Sequence, residues 1–360
     1  MRKFIKNLIL FSMIFTIVGC GTSKKSDVDP VGVYGCDTLN VYNWGEYISQ
    51  DILSDFEREY NVRVNYSLYD SNEVLYTKLL GGSEYDVLVP SDYMIKRLSK
   101  ESLLQEIDWS LITNASNLYD SILNTPTDPD NLYSVPYFWG SVGILYDKTI
   151  VDPAIVKEKG FEILKDEKFK GNVFMYDSQR DSFMIALKAL GYSMNTTNEQ
   201  EIEEAFQWLI DLDEKVEPSY VTDEVIDAMI YGEKALAVVY SGDAAYILSE
   251  NENMDYYLPE SGTNMWIDAM VIPANSKCPK LAHEFINYMI DDDVAFTNSE
   301  EIGYASPNKN VIDEMIADGG IYADNSAYFP RADFQKDEYF EFDEKVYELM
   351  SELWIQIKIK

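Results

Sequence analysis

The sequence predicts an α/β protein built as two lobes, and three observations carry that prediction. The chain has 360 residues, too many for one compact core and suited to two domains of roughly 150 residues each. From Thr38 onward, short β-rich runs alternate with runs of helical apolar spacing, an order that implies a largely parallel sheet covered by helices on both faces. The alternation then restarts near Leu145, after the apolar stretch Val135–Ile144, as a second lobe requires.

Taken in order, Thr38–Asn43 reads as a strand ending at Trp44, and residues 50–60 place Ile52, Leu53, Phe56 and Tyr60 on one helical face. Val62–Tyr66 reads as a strand, Asn72–Leu80 as a helix and Asp86–Pro90 as a buried strand, with a helix beginning after Ser91-Asp92. In the second half, Val173–Met175 reads as a strand, and Arg180–Leu190, Gln200–Asp213 and Val221–Tyr231 read as amphipathic helices. Ala235–Tyr240 is a buried strand running into Ser241-Gly242-Asp243; Met265–Pro273 is another, followed by the helix Lys280–Ile290. The segments near 136–144 and 266–273 are the expected crossovers between lobes. In open sheets of this kind ligands bind beyond the carboxyl ends of the strands. Trp44 and the Ser91-Asp92-Tyr93 segment stand there, and the cleft between lobes is the expected ligand site.

The first residues form a separate unit. Arg2, Lys3 and Lys6 precede an uncharged run from Leu8 to Val18, the pattern of a secretory signal peptide over residues 1–19 rather than a membrane span, which needs about 20 apolar residues. The run ends at Ile17-Val18-Gly19-Cys20, which resembles the lipobox of bacterial lipoproteins and implies diacylglycerol on Cys20, with ordinary cleavage nearby as the alternative. Residues 20–36 lack periodicity and read as a flexible tether on the outer face of the membrane. Export permits a disulfide between Cys36 and Cys278, though two free thiols fit the sequence equally well.

The chain carries 63 Asp and Glu against 29 Lys and Arg, a net charge of −34. Cleavage before Cys20 removes three bases and leaves 26 against 63, or −37. Hydrophobic residues make up 46%, so the charge does not signify disorder, which also requires low hydrophobicity. It does exclude a nucleic-acid footprint, which is basic, and it disfavours anionic lipid as a partner. The single histidine, His283, lies in a helical segment and reads as structural. With no second histidine, a His-rich metal site is excluded and a Ser–His–Asp triad is disfavoured. No metal or cofactor is expected. Asp128-Pro129-Asp130 and Asp291-Asp292-Asp293 lack the glycine and distal glutamate of an EF-hand loop and read as a turn and a helix end. Paired carboxylates keep a secreted glycosidase open as an alternative.

Aromatic residues stand beside acids at the expected strand ends: Trp44, Glu46 and Tyr47; Ser91, Asp92 and Tyr93; Tyr240 and Asp243; Trp266 and Asp268. Rings pack on methylenes and attract an ammonium, at about 0.5–2 kcal/mol per contact, and a carboxylate adds a charge-assisted hydrogen bond. An organic diamine, an apolar chain with an ammonium at each end, matches that pairing.

Six segments in order, NVYNWGEYIS, YDVLVPSDYMIKRL, SVPYFWGSVGILYD, ALKALGYSMNTTN, MWIDAMVIPANS and EIGYASPN, resemble the spermidine/putrescine-binding proteins of bacterial polyamine ABC importers. The resemblance covers nearly all of the chain from residue 38. It implies a bilobal periplasmic-binding-protein type II fold that closes around a linear polyamine and delivers it to a membrane permease. The implied lobes are 37–139 with 268–303, and 140–267 with 304–360. Carried over by position, Trp44 and Tyr47 match an aromatic wall, Glu46 an acid near one ammonium, and Ser91 and Tyr93 a polar–aromatic pair. Asp181 stands where a longer glutamate is usual. Trp266 and Asp268 match the stacking Trp and the principal amine-binding Asp, and Tyr304 a further cleft tyrosine. Tyr240 replaces a common Trp. Ser178 stands where spermidine-selective relatives place an Asp, and Asp243 resembles an acid of putrescine-selective ones, which favours putrescine. Glu341 is a weakly aligned candidate from the C-terminal segment. Receptors for a sugar, an amino acid or an iron complex share the fold and remain alternatives.

Overall fold

A computed structural model describes residues 28–45, 47–331 and 334–359. The signal segment 1–19, Cys20 and Glu46 lie outside the described residues.

The short helix α1 (Pro30–Tyr34) leads into β1 (Thr38–Trp44), α2 (Gln50–Tyr60), β2 (Arg63–Tyr69), α3 (Asn72–Leu80), β3 (Val87–Leu88) and α4 (Asp92–Lys100). The 14-residue strand β4 (Ser134–Asp147) follows, then α5 (Pro153–Lys159), β5 (Val173–Tyr176), α6 (Gln179–Leu190), α7 (Glu199–Val216), β6 (Ser219–Val221), α8 (Glu224–Ile230) and β7 (Leu236–Tyr240). The chain continues through α9 (Ser241–Glu250), β8 (Met254–Tyr257), β9 (Met265–Val271), α10 (Pro279–Met289), α11 (Asp292–Ile302), α12 (Lys309–Ile316) and α13 (Glu344–Lys358).

Hydrogen bonding orders the strands β2-β1-β3-β9-β4-β7-β5-β6, with β8 beside β4. Each lobe holds three parallel strands, β2-β1-β3 in one and β7-β5-β6 in the other. They are joined through antiparallel β9 and β4. Every residue of β4 is buried. Its first half, Ser134–Ser141, pairs with β9, and its second half, Val142–Tyr146, pairs with β7. One strand therefore belongs to both lobes, and its run of apolar residues reflects burial on both faces.

The lobe boundaries differ from the sequence reading. β4 leaves the first lobe after Ser141 rather than Trp139, and the chain is back in it by Met265 rather than Asp268. Residues 304–308 also stay with the first lobe, because Ala305 bridges Trp139, Asn308 bridges Leu118 and the Tyr119 amide donates to the Pro307 carbonyl. At the other end the expected tether stops short of Cys36. Pro30, whose fixed φ suits a first helical turn, starts α1, Asn61 Nδ2 donates to the Val28 carbonyl at 3.0 Å, and Tyr34 packs 6.3 Å from Tyr60. The expected helix over Val221–Tyr231 begins later, since Ser219–Val221 pairs in parallel with β5.

Several residues that resemble functional groups serve the fold. His283 Nε2 accepts from the Asp108 amide at 2.9 Å and its Nδ1 lies 2.6 Å from the Pro279 carbonyl. Asp128 accepts from the Leu132 and Tyr133 amides and the Ser134 hydroxyl, closing a turn. Asp291 caps α11 through the Asp293 amide. Among the described residues, no helix is long and apolar enough to cross a membrane.

Cys36 and Cys278 form a disulfide with Cα atoms 6.0 Å apart and a sequence separation of 242. It fastens the segment after α1 to the start of α10 and closes a long loop in the unfolded chain, which such a bond destabilises. Replacing both cysteines by serine should lower unfolding free energy by about 2–4 kcal/mol in denaturant titration, with the folded circular-dichroism spectrum retained.

Candidate functional site

Strand ends from both lobes face each other across the crossover strands. β1 ends at Trp44, β3 leads through Val89-Pro90 to Ser91, β5 leads to Ser178 and β7 ends at Tyr240. Asp92, Asp181 and Asp243 each occupy the first turn of the helix that follows, α4, α6 and α9, where unpaired amide groups favour an acid. Asp268 joins them from the middle of β9.

Asp268 is 7% exposed. Its Oδ2 accepts from the Tyr47 hydroxyl at 2.8 Å, and the neighbouring Ser91, which bridges it along the backbone, supplies a second hydroxyl. Burial pushes its pKa up to about 6, although both hydroxyls and Arg180 favour the anion. Asp243 is built the same way in the other lobe: Tyr176 and Tyr304 each donate a hydroxyl at 2.8 Å, to Oδ2 and Oδ1 respectively. Burial raises it too to about 6, against those two bonds. Asp181, 1% exposed, accepts from the Tyr240 hydroxyl at 2.9 Å and from Ser178 Oγ at 2.6 Å. Tyr47, Tyr176, Tyr240 and Tyr304 are all held well above the ordinary tyrosine value, first by burial and then by nearby acids. They therefore remain neutral donors.

The rings of these donors run on from one another. Tyr47 lies 5.6 Å from Tyr304, Tyr304 lies 5.3 Å from Trp266, Trp266 lies 6.1 Å from Tyr240, and Tyr240 lies 4.6 Å from Tyr176. All are tilted or edge-on, the arrangement favoured by ring quadrupoles. Two glycines make room for them. A Cβ on Gly140 would fall 2.4 Å from the Trp266 ring, and one on Gly242 would fall 2.3 Å from the Tyr304 ring.

Tyr47, Ser91, Asp181, Tyr240, Asp243, Trp266, Asp268 and Tyr304 are thus brought together. Trp44 stands beside them at the end of β1, its Nε1 donating to the Val89 carbonyl at 2.9 Å and its ring 4.5 Å from Tyr69. Tyr93 is engaged within the protein: its hydroxyl donates to Glu73 Oε1 at 3.2 Å, and the Arg180 guanidinium lies 4.0 Å from its ring centre. Glu341 forms an ion pair with Lys96 at 3.0 Å. Since Glu341 is tied to Asn195 in the second lobe and Lys96 lies on α4 in the first, that pair and the Arg180–Tyr93 contact both span the cleft. Tyr176, Arg180 and the two glycines escaped the sequence reading. Tyr176 directly follows the Val173–Met175 run and was available to the strand-end rule.

Two α/β lobes closed on buried acids and rings, with strands passing through both, define a solute-binding receptor. A family model described as bacterial extracellular solute-binding protein matches residues 51–329, and the chain belongs to that family. It is 37% identical over 294 residues to the spermidine/putrescine-binding periplasmic protein of Escherichia coli, covering 80% of this chain and 84% of that one. Among solved structures it resembles the substrate-binding protein PotD of the spermidine/putrescine ABC transporter of Streptococcus pneumoniae, with a TM-score of 0.78, 35% identity and coverage of 90% and 99%. It also resembles the TpPotD lipoprotein of Treponema pallidum, with a TM-score of 0.77, 26% identity and coverage of 90% and 100%.

The glycine seats can be tested without a ligand. Gly242→Ala should crowd Tyr304 off Asp243 and destabilise the protein by about 1–3 kcal/mol in denaturant unfolding. Gly45→Ala, where an added Cβ meets nothing within 4 Å, should stay within about 0.5 kcal/mol of wild type.

Proposed function

We propose that this protein is an extracytoplasmic receptor that captures a linear polyamine and hands it to the membrane permease of an ABC importer. One observation carries the reading. Asp268, buried, and Asp243, half-buried, lie on opposite sides of the cleft with tyrosine hydroxyls as partners, and the rings of two of those tyrosines, Tyr47 and Tyr304, are neighbours. Hydroxyl donors satisfy carboxylate lone pairs without supplying charge, so each acid still favours a cation. The counterpart of two such acids across an aromatic wall is an apolar chain with an ammonium at each end.

In this reading Trp44, Glu46, Tyr47, Ser91, Tyr93, Trp266 and Asp268 serve the first-lobe side and hinge. Asp181, Tyr240 and Asp243 serve the opposite wall, and Tyr304 reaches Asp243 from the first-lobe segment. Ser178 is bonded to Asp181 and brings no acid of its own for a middle amine, which favours putrescine over spermidine. Binding acts by lobe closure, the ligand stabilising the closed population, with no covalent step. The names of the relatives support the ligand class and the importer. Lipid attachment at Cys20 would hold the receptor at the membrane surface.

Thermal-shift titration of the soluble chain beginning after Cys20 tests the reading with putrescine, cadaverine, spermidine, spermine, arginine and maltose. A polyamine at 100 times its dissociation constant should add about 2.7 kcal/mol of stability, and the reading fails if no polyamine raises the melting temperature. Asp268→Ala and Trp266→Ala should each weaken binding by about 2 kcal/mol or more in calorimetry while remaining folded; unchanged affinity in both removes the site assignment. Affinity should also fall as pH drops through 6, because Asp268 and Asp243 take up protons near that value while alkyl ammonium groups, with pKa values of about 10, stay charged. An affinity that is flat from pH 7 to pH 5 would contradict the paired-acid basis of the site.

A further inference from the structure

Asp92 stands among the acids of the site but carries no role in the reading above, and it is the residue between the two predicted cleft contacts Ser91 and Tyr93. It is 2% exposed, begins α4 and lies one residue from the backbone bridge between Ser91 and Asp268. Its Oδ1 accepts from the Tyr93 amide at 2.6 Å, and its Oδ2 accepts from the Ile267 amide at 3.3 Å. Ile267 separates Trp266 from Asp268 on β9. One buried carboxyl therefore ties the start of a first-lobe helix to the stretch of hinge strand that carries the ring and the acid of the cleft.

The charged and titratable groups facing Asp92 come from the elements around it: Asp268 on β9, Arg180 on α6 and Tyr339 from the segment before α13. Asp268 opposes a second negative charge and Arg180 favours it. Both hydrogen bonds that reach Asp92 come from backbone amides, which bring no full positive charge.

We propose that Asp92 is a positioning residue of the cleft, holding the hinge backbone between Trp266 and Asp268 and, as a second buried carboxyl beside Asp268, coupling cation binding to release of a proton. Burial and the neighbouring Asp268 move its pKa up to about 7, so the empty cleft holds a proton there near neutrality. An ammonium arriving at Asp268 adds a positive charge beside Asp92. The carboxyl then ionises and its proton passes to solvent. By linkage, raising the pH through 7 strengthens cation binding. The ligand in this coupling rests on the polyamine reading above; the buried ionisation does not.

Calorimetry of putrescine binding at pH 7 in buffers of small and large ionisation enthalpy reads the proton directly. Wild type should release roughly half a proton per ligand for a group titrating near 7, and Asp92→Asn should release distinctly less. Between pH 6.5 and 8 wild-type affinity should rise and that of Asp92→Asn should stay nearly level. At pH 8, Asp92→Ala, which lacks any acceptor for the Ile267 amide, should bind more weakly than Asp92→Asn. Equal proton release in wild type and Asp92→Asn overturns the coupling, and equal affinities of the Ala and Asn variants overturn the positioning role. A ligand-free arm separates this from the polyamine reading. Only wild type must ionise a buried Asp92 as pH rises, so its stability contribution is lost through neutrality. The melting temperature of Asp92→Asn minus that of wild type should therefore increase from pH 5 to 8. A constant difference refutes the buried ionisation, whereas failure of every polyamine to bind refutes only the functional reading.

Discussion

Burial of aspartates whose partners are hydroxyls and amides is the constraint on which the rest depends. Removing an ionised carboxylate from water costs several kcal/mol unless charge or hydrogen bonds replace the solvent. Asp268 and Asp243 recover part of this from paired hydroxyls. The remainder appears as carboxyl groups that titrate well above the usual range. In the proposed reading, closing the lobes would deepen the burial, so closure without a cation would work against itself, and a ligand that brings positive charge would offset the cost at the moment of closure. The same electrostatic term thus supplies affinity and couples binding to the change in shape.

The fold meets that constraint through its hinge. A strand buried along its full length, shared between both lobes, fixes where the strand ends face each other. Gly140 lies on that strand one residue before the lobes part, and its missing side chain is where the Trp266 ring sits. Gly242 does the same for Tyr304 at the start of α9. Had either carried a methyl group, the ring beside it would have to move, and with Tyr304 would go one of the two hydroxyls on Asp243. Backbone economy at two positions is therefore part of the electrostatics.

Much of this was legible in the sequence because strand ends announce themselves. Alternating strands and helices placed Trp44, Ser91 and Tyr240 at the rim before any contact was known, and the order of quoted segments gave the fold class. The failures have physical causes. α9 begins directly at the end of β7 with no loop between them, so the strand reading runs into Ser241-Gly242-Asp243 without marking a helix start. β6 is three half-buried residues, too short to show a period. Residues 304–308 add bridges to the first lobe that depend on tertiary register, which no local pattern encodes. Arg180 is one basic residue next to a predicted acid, and its stacking on Tyr93 across the cleft follows only when both lobes are placed. Asp92 reads in the sequence as the acid of an aromatic–acid cluster at a strand end; that it is buried and accepts from the Ile267 amide follows only once β9 lies beside it.

The charge of −34 acquires a narrower meaning from this geometry. Surface carboxylates act through solvent, and in physiological salt their field is screened beyond roughly 8 Å. Such a field draws in cations of every kind and cannot tell a diamine from potassium. Discrimination needs acids removed from that screening, set apart by a hydrophobic wall and denied a permanent counterion. Tyrosine meets both demands at once, since its hydroxyl holds the carboxylate in place and its ring supplies the wall. A lysine in the place of Tyr47 or Tyr304 would satisfy the acid outright and leave the ligand nothing to neutralise. The choice of a neutral donor is what keeps a buried anion available.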